Sequence, residues 1–254
     1  MSAQAEFARI AGEDGRAALV TVIAGGDVGA KLLVRADGST EGTLGEAALD
    51  QVAVQAAEDL LWAERSETRT AGDTTLFVDV VAPAPRLVIF GAVDYASSLA
   101  RLARAAGWRP FVCDPRSQFA TRARFPDAEE VIAAWPEAAF ARLGGIDRAT
   151  YIAVLTHDPK LDDAALEIAL RSEAPYVGAM GSRRAQAQRR ERLLATGLEE
   201  ELLGRIAAPI GLDLGAVAPE ETALSIMSEV VAVRNGRDGG RLSNAAGRIH
   251  EVGA

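Results

Sequence analysis

From Arg86 onward the chain alternates short apolar runs with stretches of helical length. RLVIFG is followed by YASSLARLARAAG, which ends at Gly107, and then by the run WRPFVCD, which ends at Asp114. A short run around Val131 precedes WPEAAFARLG; YIAVLT precedes PKLDDAALEIALRS; APYVGAM precedes SRRAQAQRRERLLATG. APEETALSIMSEVVAVRNG closes the series: Pro219 suits a first helical turn, Glu220 and Glu221 suit its dipole, and Asn235-Gly236 suits a stop. Alternating strand and helix implies parallel strands with right-handed crossovers, so the pattern predicts an α/β, Rossmann-like doubly wound parallel sheet.

The first third follows other rules. AALVTVIA (Ala17 to Ala24), a Gly-rich break and AKLLVRADGSTEGTL (Ala30 to Leu44) predict a hairpin turning at Asp37-Gly38. Apolar Leu49, Val52, Ala53, Ala56 and Leu60 recur at helical spacing, which predicts a helix from about Glu46 to Glu64. TTLFVDVVAP (Thr74 to Pro83) reads as a further strand, and Pro83-Ala84-Pro85 as a linker. The expected organisation is a small α+β domain over residues 1–84 and the doubly wound domain over 85–254, with RLSNAAGRIHEVGA as a loosely held tail.

Charge and composition remove whole classes of function. A formal net charge of -9 lacks the basic footprint of a general nucleic-acid binder. No apolar stretch approaches the roughly 18 residues of a membrane span. MSAQAEFARIAGEDGR lacks the basic-then-apolar layout of a secretory signal, so a cytoplasmic protein is expected. The single cysteine, Cys113, excludes an internal disulfide and a Cys-only zinc site, and its apolar surroundings predict an inert core thiol.

Chemistry is expected at the turns that follow strands. A dinucleotide-binding first turn needs G-x-G-x-x-G: a tight turn, a position without a side chain against the pyrophosphate, and close helix packing. FGAVDYASSLA places Gly91 first and Ala96 third, but branched Val93 takes the second place. Asp114, 23 residues after Gly91, stands where an acid could bind ribose hydroxyls. Either a nucleotide binds there or the fold is only scaffold; Asp94 could cap the helix. LTHDP sets Thr156, His157 and Asp158 just past a strand end, where open α/β sheets bind ligands. His157 can donate, carry a proton or ligate a metal, although no second histidine lies nearby for a metal site. The plainer alternative has Asp158 capping the helix that begins at Pro159.

In GAMGSRR, Gly178 and Gly181 permit close approach, Ser182 can cap, and the helix start aims free N–H groups outward. Arg183 and Arg184 add planar donors suited to a phosphate. The competing expectation is a turn leading into a solvated basic helix bearing Arg189, Arg190 and Arg192. IGLDLGA carries Gly211, Asp213 and Gly215 in a loop that either lies against a ligand or merely connects.

LVIFGAVDYASSLARL, VCDPRSQFATRARFP, VLTHDPKLDDAAL, YVGAMGSRR, PIGLDLGAVAPEETALSI and the C-terminal GRIH together resemble the xanthine dehydrogenase accessory factor family (XdhC/CoxI). The likeness is closest to accessory proteins of carbon monoxide dehydrogenase-type molybdenum hydroxylases. The order LTHDP, GAMGSR, PIGLDLG is what makes it specific. It implies a small N-terminal domain before a Rossmann domain, and a cofactor-binding chaperone without turnover of its own. Such a chaperone binds the molybdenum cofactor, as molybdopterin or its cytidine dinucleotide. It assists sulfuration with a cysteine desulfurase and hands the cofactor to an apo molybdenum hydroxylase, commonly as a homodimer. The candidate cofactor-binding residues, read from the turns, are Gly91, Asp114, Thr156, His157, Asp158, Gly178, Gly181, Ser182, Arg183, Gly211 and Asp213. Two departures stand out. Ala48 occupies about the place of a thiol that many members carry in a GGC-type loop, and GAVDYA replaces a fuller GAGHxG turn. Two other functions fit the residues: an NAD(P)-dependent oxidoreductase using the Gly91 turn, Asp114 and His157, and a ligand-free module that docks on the hydroxylase.

Overall fold

A computed structural model describes residues 2–245. Residues 246–254, GRIH among them, lie outside the described residues. The chain divides into two compact units, one running to Pro83 and the other spanning Ala84–Arg241; the described residues from Leu242 on group with the first.

The first unit is an antiparallel sheet with a helix on each face. Its elements are α1 (Ala3–Gly12), β1 (Ala17–Ala24), β2 (Lys31–Arg35), β3 (Thr40–Thr43), α2 (Ala47–Ala63), β4 (Glu67–Ala71) and β5 (Thr74–Val81), in sheet order β3-β2-β1-β5-β4. Asp37-Gly38 makes the expected β2–β3 turn: Gly38 has φ +79, and Asp37 accepts from the Ser39 amide at 2.9 Å. Strand side chains alternate between faces. Ala17, Leu19 and Leu33 therefore meet Phe7 and Ile10 of α1, while Ala18, Val20 and Leu32 meet Ala53, Ala57, Leu60 and Leu61 of α2. The helix expected from Glu46 to Glu64 forms, with Glu64 closing it in the left-handed region at φ 54. Two elements have no expectation behind them. α1 buries only two large apolar residues, too few to show a period, and β4, ETRTA, is a polar edge strand, a composition that discourages pairing with other chains.

The second unit is the parallel sheet the alternation predicts. Its elements are β6 (Arg86–Phe90), α3 (Asp94–Ala105), β7 (Arg109–Cys113), β8 (Glu130–Ile132), α4 (Pro136–Arg142), β9 (Thr150–Val154), α5 (Pro159–Leu170), β10 (Tyr176–Ala179), α6 (Arg183–Ala195), α7 (Glu200–Leu203), β11 (Ile206–Ala207) and α8 (Pro219–Arg234). Strand order is β11-β10-β9-β6-β7-β8 and every pairing is parallel. Leu87, Ile89, Val112 and Ala153 face α3 and α8; Val88, Phe90, Ile152 and Val154 face α4, α5 and α6. Cys113 is buried on the second face, and burial pushes its thiol pKa up, so it is unreactive at neutral pH. The order reverses between β6 and β9: the chain leaves β6 toward β7 and β8, then returns to β9 on the other side. In open α/β sheets the ligand crevice opens at the carboxyl ends of such a pair.

Candidate functional site

At that switch point the turns after β6, β7, β9 and β10 converge, because the strands end in step. Phe90 pairs with Cys113 and with Val154, and the Met180 amide donates to the Val154 carbonyl at 2.8 Å. They surround a hollow of about 390 Å3. Val93, Tyr95, Leu155 and Met180 supply apolar walls, and Arg116, Thr156, His157 and Asp158 supply polar groups. Small-molecule sites of this kind are mostly apolar with a few placed polar groups.

Gly91 lies behind this wall rather than on it. It adopts φ +114, and a Cβ built there would stand 2.4 Å from the Thr156 methyl group, so the first turn and the THD turn are in direct contact. Thr156 is buried, donates its hydroxyl to Asp162 and accepts the Asp158 amide at 3.2 Å. Asp158 caps α5, accepting from the Lys160 amide at 3.0 Å, while still reaching the hollow. His157 is exposed and lines it.

Asp114 has a different role from the one its position suggests. It is 0% exposed. Its Oδ2 accepts from the Ala92 amide at 2.8 Å and from Arg116 Nη2 at 2.7 Å; its Oδ1 accepts from the Arg116 amide and Nε, both at 2.9 Å. A carboxylate has about four acceptor positions. All are filled from within the protein, which leaves none for a ribose diol. Burial alone would raise the Asp114 pKa, but the hydrogen bonds from Arg116 and the amides outweigh it and hold the group below the usual carboxylate range. A carboxyl lowered in the folded state contributes stability that is present above its unfolded pKa and lost as pH falls through the folded one. Asp114→Asn should therefore flatten the acid limb: its urea midpoint should fall less than that of the unsubstituted protein between about pH 5 and pH 3. Equal slopes would show that the carboxylate carries no such linkage.

The turn after β10 contributes less than expected. Gly178 is buried inside β10, where a Cβ would meet Ile210 and the Tyr176 hydroxyl at 2.5 Å, so its smallness serves packing. Gly181 takes φ +133 and Ser182 caps α6 by accepting from the Ala185 amide at 3.3 Å. Arg183, the first residue of α6, is exposed; the hollow receives Met180 from this turn instead. Arg189, grouped by its spacing with a solvated basic face, points inward: it is 4% exposed and pairs with Asp162 at 3.0 Å. Gly211 packs on α8, its amide donating to Glu229 at 2.8 Å, and Asp213 is exposed outside the hollow. Asp94 does not cap α3; it starts the helix and pairs with Arg124 at 3.2 Å.

The hollow thus gathers Thr156, His157 and Asp158, and adds Arg116, which sequence reasoning overlooked. The available signal was its place two residues beyond Asp114 at a strand end. In the first unit a separate hollow of about 670 Å3 is lined in part by Ala48, Leu49, Asp27, Glu46 and Asp73. Among the described residues no three His, Cys, Asp or Glu side chains converge as a metal site, and no helix is long and apolar enough to cross a membrane.

Comparison with known proteins places this architecture. The family model described as the XdhC Rossmann domain matches residues 87–230, and that of the XdhC and CoxI family matches residues 11–72. A probable xanthine dehydrogenase subunit from Bacillus subtilis (strain 168) is 31% identical over 161 residues, covering 63% of this chain and 46% of that protein. The molybdenum cofactor insertion chaperone PaoD of Escherichia coli (strain K12) is 29% identical over 169 residues, covering 66% of this chain and 46% of that protein. The chain therefore spans less than half the length of either relative. A crystal structure titled as a xanthine dehydrogenase from Bacillus halodurans shares the fold, with TM-score 0.54 and 20% identity over 96% of this chain and 98% of the other. With its Rossmann unit matched over more than half of its length, the chain belongs to the XdhC and CoxI family.

Proposed function

We propose that this chain is an accessory protein that holds the molybdenum cofactor and delivers it to an apo molybdenum hydroxylase of the xanthine or carbon monoxide dehydrogenase type. The observation that carries the reading is the hollow at the β6/β9 switch point, which joins apolar walls to a fixed guanidinium and the Thr156-His157-Asp158 turn. Its volume of about 390 Å3 lies in the range of small-molecule sites, roughly 300–1,000 Å3. A pterin needs flat apolar contact for its ring faces and hydrogen-bonding groups for its edges. Leu155, Met180, Val93 and Tyr95 supply the first; His157 supplies the second. Similarity to a protein named as a molybdenum cofactor insertion chaperone supports the same reading.

When bound, the cofactor would supply the molybdenum centre the hydroxylase uses, and Arg116, Thr156 and His157 would hold and orient it in the hollow. No thiol of this protein stands in either hollow: Ala48 lines the one in the first unit, and Cys113, the single cysteine, is buried in the sheet core. A cysteine desulfurase partner as the sulfur source belongs to the proposal on the strength of the family likeness. Assembly as a homodimer belongs to the same proposal. The oxidoreductase alternative loses ground, since Asp114 has no acceptor left for ribose and Val93 occupies the glycine position of the first turn.

The test is anaerobic mixing of the purified chain with molybdenum cofactor released from a donor enzyme, followed by desalting and pterin analysis. About one pterin per chain is expected to travel with the protein. A folded protein fraction free of pterin would remove the carrier function.

A further inference from the structure

Resting on the reading of this hollow as a cofactor seat, we propose that Arg116 is its phosphate anchor, in the place expected of Arg183, and that it takes a phosphomonoester. Two sources share that chemistry: the phosphate of molybdopterin and the 2′-phosphate of a nucleotide.

Arg116 is already aimed. Its Nε and Nη2 form a fork on the two oxygens of buried Asp114, at 2.9 and 2.7 Å, and its guanidinium packs over the Phe119 ring at 5.1 Å. These contacts fix the plane of the group and consume its Nε side. Nη1 has no hydrogen-bond partner among the described residues, and Nη2 keeps a second hydrogen. The free end of the fork therefore presents two parallel N–H donors from a residue that lines the hollow, the geometry suited to a phosphate. Little rotamer freedom remains to be lost when an anion arrives.

The other phosphate seats of the fold are compromised. At the start of α3, the branched Val93 side chain stands where a pyrophosphate needs glycine, and Asp94 puts a carboxylate in the first turn. At the start of α6, Arg183 is exposed and only Met180 reaches the hollow. One group opposes the anchor: Asp158 lines the same hollow, and its charge acts on Arg116. A phosphate has to compete with it, which gives the proposal a signed prediction. Removing Arg116 must weaken binding and neutralising Asp158 must strengthen it.

The experiment titrates the full chain anaerobically with molybdopterin, and separately with NADP+ and NAD+, by calorimetry. Arg116→Gln should weaken molybdopterin binding about 10- to 100-fold, the range for a lost charge-assisted contact. Arg183→Ala should bind as the unsubstituted protein does, and Asp158→Asn should bind more tightly. Gln at position 116 strips buried Asp114 of its guanidinium, so the double variant Asp114→Asn/Arg116→Gln, which removes both charges, guards against unfolding; it should show the same loss while still unfolding in a single cooperative transition well above the assay temperature. Full molybdopterin affinity in the folded double variant would overturn the anchor while leaving the carrier function intact. If molybdopterin is not bound at all, the carrier function fails; NADP+ binding over NAD+, lost with Arg116, would then still support the anchor. Absence of binding by either phosphomonoester would overturn both.

Discussion

Arg189→Met should lower the unfolding free energy by about 3–5 kcal/mol, the usual cost of leaving one member of a buried ion pair alone. Arg189 Nη2 donates to Asp162 at 3.0 Å and to the Met180 carbonyl at 3.1 Å, and Nη1 donates to Gln186. Asp162 is 2% exposed and also accepts the Thr156 hydroxyl. This one carboxylate thus ties the turn after β9 to the turn after β10. The network is not fully satisfied, since Arg189 Nε has no partner among the described residues.

Burial already raises the Asp162 pKa above the ordinary value, although Thr156 and Arg189 both pull it down. A carboxyl raised in the folded state binds its proton more tightly there than in the unfolded chain, so the penalty is present above the folded pKa and relieved as pH falls. Without the guanidinium the pKa must rise further. The variant should then regain stability as pH falls from neutral toward the unfolded Asp value of about 4, a trend opposite in sign to the Asp114 limb. Replacing both partners, as Arg189→Met/Asp162→Leu, should recover most of the loss, because apolar pairs of similar volume commonly match buried ion pairs. Urea unfolding across that pH range checks all three statements. A single-variant loss below about 1 kcal/mol would show that the pair is solvated in solution.

Gly91→Ala should cost on the order of 2–5 kcal/mol, the sum of a strained backbone and an overfilled contact. At φ +114 an L side chain is unfavourable in any surroundings, and here the added Cβ would lie 2.4 Å from Thr156 Cγ2. Thr156 cannot rotate away without giving up its hydrogen bonds to Asp162 and to the Asp158 amide. The substitution should therefore also displace the THD turn and weaken pterin retention. Gly107→Ala is the control: Gly107 has φ +81 but nothing within 4 Å of its Cβ position, so only strain of about 1–2 kcal/mol applies. Equal losses in the two variants would show that the Gly91–Thr156 contact yields freely.

The separation between these two glycines illustrates what a sequence can convey. Both sit at turns and look alike in the chain; only the neighbour across the sheet distinguishes them. Elements with a period were legible: the β/α alternation after Arg86, the helix now bounded as Ala47–Ala63, and the Asp37-Gly38 hairpin. α1 and β4 were not, because one buries too few apolar residues and the other is polar along its length. Candidate residues on a single turn were likewise legible as a group, and Thr156, His157 and Asp158 share one wall. Arg189 escaped because a guanidinium's role depends on which carboxylate faces it, and Asp162, 27 residues earlier, faces it only through folding; Arg116 was overlooked although its partner Asp114 stands two residues before it.

Local chemistry in the chain determined the α/β class, the parallel sheet, the caps at Asp158 and Ser182, and the family, since each depends on residues close together in sequence. Tertiary structure alone decided that β9 lies beside β6, that Arg189 turns inward onto Asp162, and that Arg183 faces solvent. Strand order and side-chain pairing across it depend on packing between segments tens of residues apart, and no local pattern encodes which partners meet.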